Sequence, residues 1–347
     1  MSRSVENRTA DVRRMLACAR TIYAQRSRVV PALVASTGLT AEGVELGFAS
    51  LEQDATDAEL RRLVSAAGAR RHVHVVLSSN VFVAPLRALA LARAAAERVT
   101  VRPSPRDPVL ARALLEALDA AGDDAFSQVD ERDVSQIEAQ EIHVYGRDET
   151  IAAVRARARP GVVVRGHAAG MGVALLSRDA EPGPAAGALA LDMVAFDQRG
   201  CLSPRLAVVL GGEARAAAFA GALHAALGGW AVRVPRGQLA ADERAAARRW
   251  RDAVAFAGRV WEAEEHVVAL VPESAAGYVP PPGRHLTVLA ASSPEVAAAA
   301  LAPLARAIVT VGTDAPLELA PLVPAHSRLS LLGTMQRPPL DGPVDRR

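Results

Sequence analysis

The chain has 347 residues, 50% of them hydrophobic but only 3% aromatic, so its core is built from Ala, Val and Leu, which suits helices packed closely on parallel strands. Its 40 basic residues, all arginine, stand against 38 acidic ones in a dispersed pattern with a net charge of +2, and no cationic run or interleaved aromatic pattern argues for nucleic-acid binding. Two distant cysteines, Cys18 and Cys201, do not suggest a disulfide framework or a zinc site. The polar N-terminus lacks a signal-peptide core and no uncharged apolar run approaches ~18 residues, so a cytoplasmic protein without a membrane span is expected.

The first 60 residues read as helices, closed by DATDAELRRLVSAAG (54–68) with glycine as its stop. HVHVVL (72–77) is a strand, followed by a helix opened by Pro85 with Leu86, Leu89, Ala90 and Ala94 at helical spacing. RVTVR (98–102) is a second strand, Leu110 to Leu118 a helix, and IHVY (142–145) a third strand. Asp148 caps a helix that Pro160 stops, and 162–164 and 173–176 are further strands. The rhythm restarts after Cys201 with LAVVL (206–210), a helix over 215–227, WAVRV (230–234), HVVALV, HLTVLAA, a helix from Pro294 to Ala305, and AIVTV. This β-α-β alternation predicts an α/β protein with two doubly wound domains. The expected division is a helical segment 1–60, a nucleotide-binding domain 61–192, a catalytic domain 193–312 and a tail 313–347 packing back on the first domain, with Cys201 near the junction.

AFDQRGCLSP (195–204) carries the most pointed chemistry. LALDMVAF delivers the chain as a buried strand or helix end, the quartet Asp197–Gly200 breaks it, and Pro204 bars helix just after. A thiol at such a break, beside Arg199, matches the partly exposed, electropositive setting of a nucleophile; the alternative is a small buried hydrophobe. Asn80 ends a parallel strand, where it either donates to an oxyanion or caps the next helix. Arg102 ends another strand, as a phosphate partner or a solvated arginine. Gly146 sits at a strand-to-helix turn that permits close cofactor approach. RGHAAGMG (165–172), with Gly166, is glycine-rich but not GxGxxG; its His167 is a candidate base or donor, or else a structural histidine. HExxH, CxxC, GxSxG and Walker signatures are absent from the sequence, which disfavours metal, serine-hydrolase and phosphate-loop chemistry.

The order of these pieces resembles the aldehyde dehydrogenase superfamily. FDQRGCLSP and the distant GTMQRPPLDGP further resemble the cysteine and C-terminal signatures of the bioluminescence-type fatty-acyl-CoA reductase (LuxC-like) family, over residue 30 onward. The resemblance implies an aldehyde-dehydrogenase-like fold with the catalytic Cys201 at the domain junction. It further implies Asn80 as part of the oxyanion hole, Arg102 and Ser104 at the cofactor ribose and Gly146 near its pyrophosphate, with Gly166 a further cofactor-binding residue. The chain is shorter than typical members. Where hydrolytic relatives carry a Glu-Leu-Gly-Gly base segment it has RGHAAG, without a carboxylate, and the family's ribose lysine and acid are Arg102 and Pro105.

An aldehyde oxidiser needs a base to activate water against its thioester; an acyl-CoA reductase does not. The expected function is therefore NAD(P)H-dependent reduction of an acyl-CoA, or another acyl thioester, to the aldehyde through a Cys201 acyl-enzyme. His167 would assist thiol deprotonation or protonate the departing thiolate. NADP(H) is expected over NAD(H), because Arg102 and Arg106 flank Pro105; Asp107 is the acid that would restore a negative charge. An aldehyde dehydrogenase using His167 or a water, and a non-catalytic nucleotide-binding subunit of a multi-enzyme complex, are the alternatives. A homo-oligomer also stays open.

Overall fold

The computed structural model describes residues 3–49, 55–79, 81–275 and 277–342. It divides into two units, one of residues 1–37, 47–169 and 339–347, the other of 38–46 and 170–338.

The first unit begins with α1 (Val5–Ala24) and α2 (Val30–Thr37); α3 (Ala41–Phe48) is divided between the units. α4 (Asp57–Ala67) shows why helix forms here. Thr56 and Glu59 make a reciprocal capping box, Leu60, Leu63, Val64 and Ala67 line one face, and Gly68 leaves the helix at φ +74°. Then follow β1 (Arg70–Val76), α5 (Ala84–Ala95), β2 (Ala96–Arg102), α6 (Val109–Ala120), β3 (Phe126–Gln128), β4 (Glu141–Tyr145), α7 (Asp148–Arg157) and β5 (Val163–His167). The strands form a parallel sheet in the order β3-β2-β1-β4-β5. Val73 and Val75 of β1 enter one core with α1, α4 and α5; Val76, Ile142 and Val144 enter another with Ile151 and Val154 of α7.

In the second unit, β6 (Met171–Leu176), α8 (Pro182–Val194), β7 (Pro204–Leu210), α9 (Glu213–Arg233), α10 (Ala241–Ala257), β8 (Arg259–Glu262), β9 (Val267–Val271), β10 (His285–Ala291), α11 (Pro294–Leu301), β11 (Ile308–Thr313) and β12 (Arg328–Leu331) follow in turn. The sheet order is β12-β11-β6-β7-β10-β9-β8, parallel except for the last pair. Side chains alternate across it. Ala174, Leu176, Ala207 and Val209 pack with α8 and α9, while Val173, Leu175, Leu206 and Val208 pack with α10 and α11.

Four expectations need correction. WAVRV is not a strand: Trp230 to Arg233 complete α9, the Val234 N–H closes on Trp230 O at 2.7 Å, and Pro235 ends the helix; the apparent alternation masks an i, i+4 pair. The units part at Ala169/Gly170 rather than 192/193, because β6 pairs with β7 and β11 and takes α8 with it. Most of the expected tail (313–338) belongs to the second unit, β12 pairing with β11; only the segment from Pro339 onward joins the first, where Arg87 donates to Pro339 O (2.7 Å) and Gly342 O (2.6 Å). The N-terminal helices are no separate segment either, since α1 shares the core of β1 and α5.

Burial pushes His74 and His266 down to about 4 and His285 to about 3. Each stays neutral in the fold while its unfolded counterpart protonates below ~6.5. The unfolded chain then binds more protons, so stability is lost as pH falls from 6.5 toward 4, by at most about 1.4 kcal/mol per pH unit per histidine. Burial raises Asp192 to about 7 and also raises Asp107, which acts in the opposite sense, but four lowered histidines, His72 among them, outweigh two carboxyls. The urea midpoint should therefore be lower at pH 4.5 than at pH 6.5. A flat or inverted profile would contradict neutral burial of these rings.

Candidate active site

Cys201 lies in the second unit, in the turn that joins α8 to β7, and its side chain is exposed, whereas Cys18 is buried. The backbone leading to it is unusual. Phe196, Asp197 and Gln198 have φ of +57°, +49° and +64°, three successive left-handed residues without a glycine. Such a run costs about 1–2 kcal/mol per residue and persists only where surroundings over-determine it. Here they do, for all three side chains are buried. The Gln198 amide donates to Pro204 O (2.5 Å) and His285 O (2.6 Å) and accepts from His285 N (2.9 Å). The Asp197 carboxylate accepts from Arg284 Nε (2.9 Å) and from Gly237 N (2.9 Å), and Arg284 Nη2 completes the ion pair at 2.7 Å. Arg284 is 1% exposed, itself left-handed at φ +67°, and also reaches Val234 O (2.8 Å) and Glu265 (3.3 Å).

Arg199, the cation expected beside the thiol, has anchors of its own. The Arg199 guanidinium donates to Gln238 O (3.0 Å) and pairs with Glu243 at 3.6 Å. What the turn provides is presentation: Ser203 N closes on Gly200 O (3.1 Å), Gly172 N donates to Ser203 O (2.8 Å), and the thiol projects from that frame. Gly172 is obligatory there, since a Cβ would lie 2.7 Å from Met335 Cε and 3.0 Å from Pro204 N. Met335, 0% exposed, belongs to GTMQRPP; its N–H (2.9 Å) and that of Gly333 (2.6 Å) are held by Asp192 of α8. Sequence reasoning missed Asp197, Arg284, Gln198 and Gly172. The available signal was polar Asp and Gln directly after an apolar helix, where burial demands partners.

In the first unit, Arg102, Gly166 and His167 lie at the C-terminal ends of β2 and β5, and Ser104 and Gly146 follow β2 and β4, so these five residues share one edge of the sheet. Asn80, which follows β1, lies outside the described residues. Arg102 is half-buried, reaches Arg132 O at 3.5 Å, and has its pKa lowered by burial and then by the Arg132 charge. Ser104 is buried and accepts from Arg106 N (3.3 Å). Asp107 is turned inward, accepting from Ser36 Oγ (2.9 Å), and burial raises its pKa.

Gly146 donates to His167 O (3.2 Å) and has room for a Cβ, 3.6 Å from Thr150. Gly166 does not: a Cβ would meet Ile151 Cγ2 at 2.7 Å, so it lets α7 close on β5. The His167 ring stacks on Tyr145 at 4.2 Å with planes 4° apart, and its centroid is 5.8 Å from that of His143. Below it, Glu141 is wholly buried. It accepts from His143 Nε2 (2.7 Å), Arg70 Nε (2.9 Å) and Arg165; burial opposes its ionisation, yet hydrogen bonds and charge from His143 and Arg165 bring its pKa to about 2.

Among the described residues no group of three or more His, Cys, Asp or Glu is placed to hold a metal, and no helix is long and apolar enough to cross a membrane.

A model of the acyl-CoA reductase (LuxC) family matches residues 60–318. No curated protein matches the chain in sequence. Solved structures share its fold. The NAD-dependent benzaldehyde dehydrogenase from Corynebacterium glutamicum superposes with a TM-score of 0.71 at 16% identity, covering 96% of this chain and 83% of that one. Aldehyde dehydrogenase 21 from Physcomitrella patens, in complex with the reaction product succinate, gives 0.70 at 14%, covering 95% and 78%. A Mycobacterium tuberculosis aldehyde dehydrogenase complexed with NAD+ gives 0.70 at 13%, covering 93% and 77%.

Removing one partner of a buried ion pair leaves the other charge uncompensated, at about 3–5 kcal/mol. Asp197→Ala and Arg284→Met should each lower stability on that scale in urea unfolding. The double variant should cost less than the sum of the two. Additive losses would mean that the two side chains act separately and that the cysteine turn is held by other contacts.

Proposed function

The chain belongs to the acyl-CoA reductase (LuxC) family and is an oxidoreductase acting on aldehydes or acyl-CoA, and on that premise we propose that it reduces an acyl thioester to the aldehyde with NADPH, using Cys201 as nucleophile. The observation that carries this reading is an exposed thiol on a turn whose strained backbone is clamped by buried side chains. The Cys201 thiolate attacks the thioester carbonyl, the carbon–sulfur bond to CoA breaks, and the CoA thiolate leaves and takes up a proton. The acyl group then rests on Sγ. The reduced nicotinamide, when bound, supplies the hydride that this acyl group accepts. Breakage of the Cys201 Sγ–carbon bond releases the aldehyde and restores the thiolate. No carboxylate is needed to activate water, in keeping with RGHAAG (165–170) in place of a glutamate segment. Asn80 is assigned to the oxyanion and His167 to the proton of the departing thiolate; both rest on the sequence resemblance.

The C-terminal edge of the first sheet suits a phosphorylated ribose. Arg102 has no carboxylate partner among the described residues, and Asp107 is committed to Ser36. Arg102 would pair with the 2′-phosphate and Ser104 with the ribose. Gly146 would lie nearest the pyrophosphate, with Gly166 a further cofactor-binding residue, although Asp148 and Glu149 in the first turn of α7 oppose an anion at that helix end.

Incubation with an acyl-CoA and no reduced cofactor should add one acyl mass to Cys201 and none to Cys201→Ala; an adduct on Cys18, or turnover in Cys201→Ala, would overturn the nucleophile. Carboxylate formation from free aldehyde and NADP+ without CoA would favour a hydrolytic enzyme instead. Arg102→Ala should lower kcat/KM for NADPH by about tenfold while leaving that for NADH nearly unchanged. Equal losses for both would place the ribose elsewhere.

A further inference from the structure

The edge of the five-stranded sheet opposite Arg102 and His167, where the strands begin, holds a cleft of about 510 Å³ lined by Arg3, Arg8, Arg70, Arg71, Glu97 and Gln140, with alanines between them. Three of its four arginines, Arg3, Arg8 and Arg70, are tethered through their guanidinium groups, while the Arg71 side chain is exposed. Arg8 donates through Nε to Ala94 O and through Nη2 to Val64 O (3.0 Å) and Gly68 O. Arg3 is held by Ala96 O (3.0 Å) and Asp11. Arg70 donates to Ala69 O (2.8 Å) and to Glu141 (2.9 Å), a carboxylate it shares with Arg165 and His143. Arg71 fixes Gln140 through its backbone N–H (2.6 Å to Oε1).

Backbone carbonyls immobilise a guanidinium without neutralising it. Among the described residues no acid pairs with Arg8 or Arg71, and Glu97 is the one acid in the lining. Each tethered fork keeps N–H groups that its anchors do not use: Nη1 of Arg8, Nε of Arg3 and Nη2 of Arg70. Arg3 and Arg70 are paired with Asp11 and Glu141, so the uncompensated positive charge of the cleft is that of Arg8 and Arg71 against Glu97; burial lowers the pKa of Arg8 and, with the charges of Arg93 and Arg8, that of Arg3.

We infer that this cleft binds a small diphosphate-bearing anion, at a site on the sheet edge opposite the one assigned to the cofactor. Each tethered guanidinium has one nitrogen left to donate, so a phosphate group would be met by N–H groups from several arginines at once, and guanidinia already held in place forfeit little entropy on binding. The volume falls in the small-molecule range of roughly 300–1,000 Å³ and exceeds what one phosphate fills. The lining contains no aromatic side chain to stack a base, so recognition rests on the phosphates.

Inorganic pyrophosphate titrated calorimetrically into the full chain is the test, with sulfate at matched ionic strength as control. Saturable binding accompanied by a rise in Tm is expected. It should weaken by at least about tenfold in Arg71→Ala and Arg8→Gln and persist in Arg102→Ala. If Arg8→Gln does not fold, the exposed Arg71→Ala decides alone. Absence of saturable binding, an equal response to sulfate, or loss in Arg102→Ala with Arg71→Ala unaffected would overturn the site, the last by placing pyrophosphate at the cofactor edge.

Discussion

The buried pair between Asp197 and Arg284 is the contact on which the cysteine turn depends. Taking two charges out of water costs several kcal/mol per ion, and the attraction repays that only with good geometry and further hydrogen bonds. Both conditions hold. Arg284 offers two nitrogens to one carboxylate oxygen, Gly237 N–H takes the other, and Val234 O and Glu265 occupy the remaining fork. The pair also joins the strained stretch Phe196–Gln198 to Arg284, itself left-handed, and Gly283 N adds a backbone bond to Asp197 O at 3.2 Å. A left-handed run reverses the chain in three residues. That reversal lets a helix whose core face is fully buried hand over to a thiol in solvent.

A second constraint is steric. Gly172 on β6 lies against the turn, and Met335 fills the space where the Cβ atoms of Gly172 and of Gly312 on β11 would be. Asp192 receives the Met335 and Gly333 N–H groups. The two signature segments, more than a hundred residues apart, thus meet through packing: GTMQRPP lies against the strand whose glycine donates to Ser203 O beside the cysteine. Methionine suits that role because an unbranched thioether can thread between two backbones.

The five-stranded sheet separates two chemistries by its polarity. Its C-terminal edge carries a half-buried arginine and a stacked histidine; its N-terminal edge gathers tethered guanidinia. Between them Glu141 balances Arg70 and Arg165 and holds His143 beneath His167. An ionised carboxylate at 0% exposure is tolerable only because three donors meet it.

Local pattern alone determined the element types over most of the chain, because a 3.6-residue and a two-residue period are written in neighbouring side chains. Alternating strands and helices with almost no aromatic residues indicated parallel sheets, and FDQRGC between an apolar helix and a proline indicated a presented cysteine. WAVRV misled because five residues satisfy both periods and only the continuing hydrogen bond from Val234 to Trp230 separates them. The short edge strands β3, β8 and β12 carried too little pattern to register. Arg199, adjacent in sequence to the cysteine turn, is drawn to Glu243, whereas Arg284, 87 positions from Asp197, completes the turn. No local spacing announces such a partner. Long-range pairing, the choice of which acid meets which arginine, the unit boundary at Gly170 and the need for a bare Cα at Gly172 arise only when the sheets assemble, since each depends on backbone brought together from distant segments.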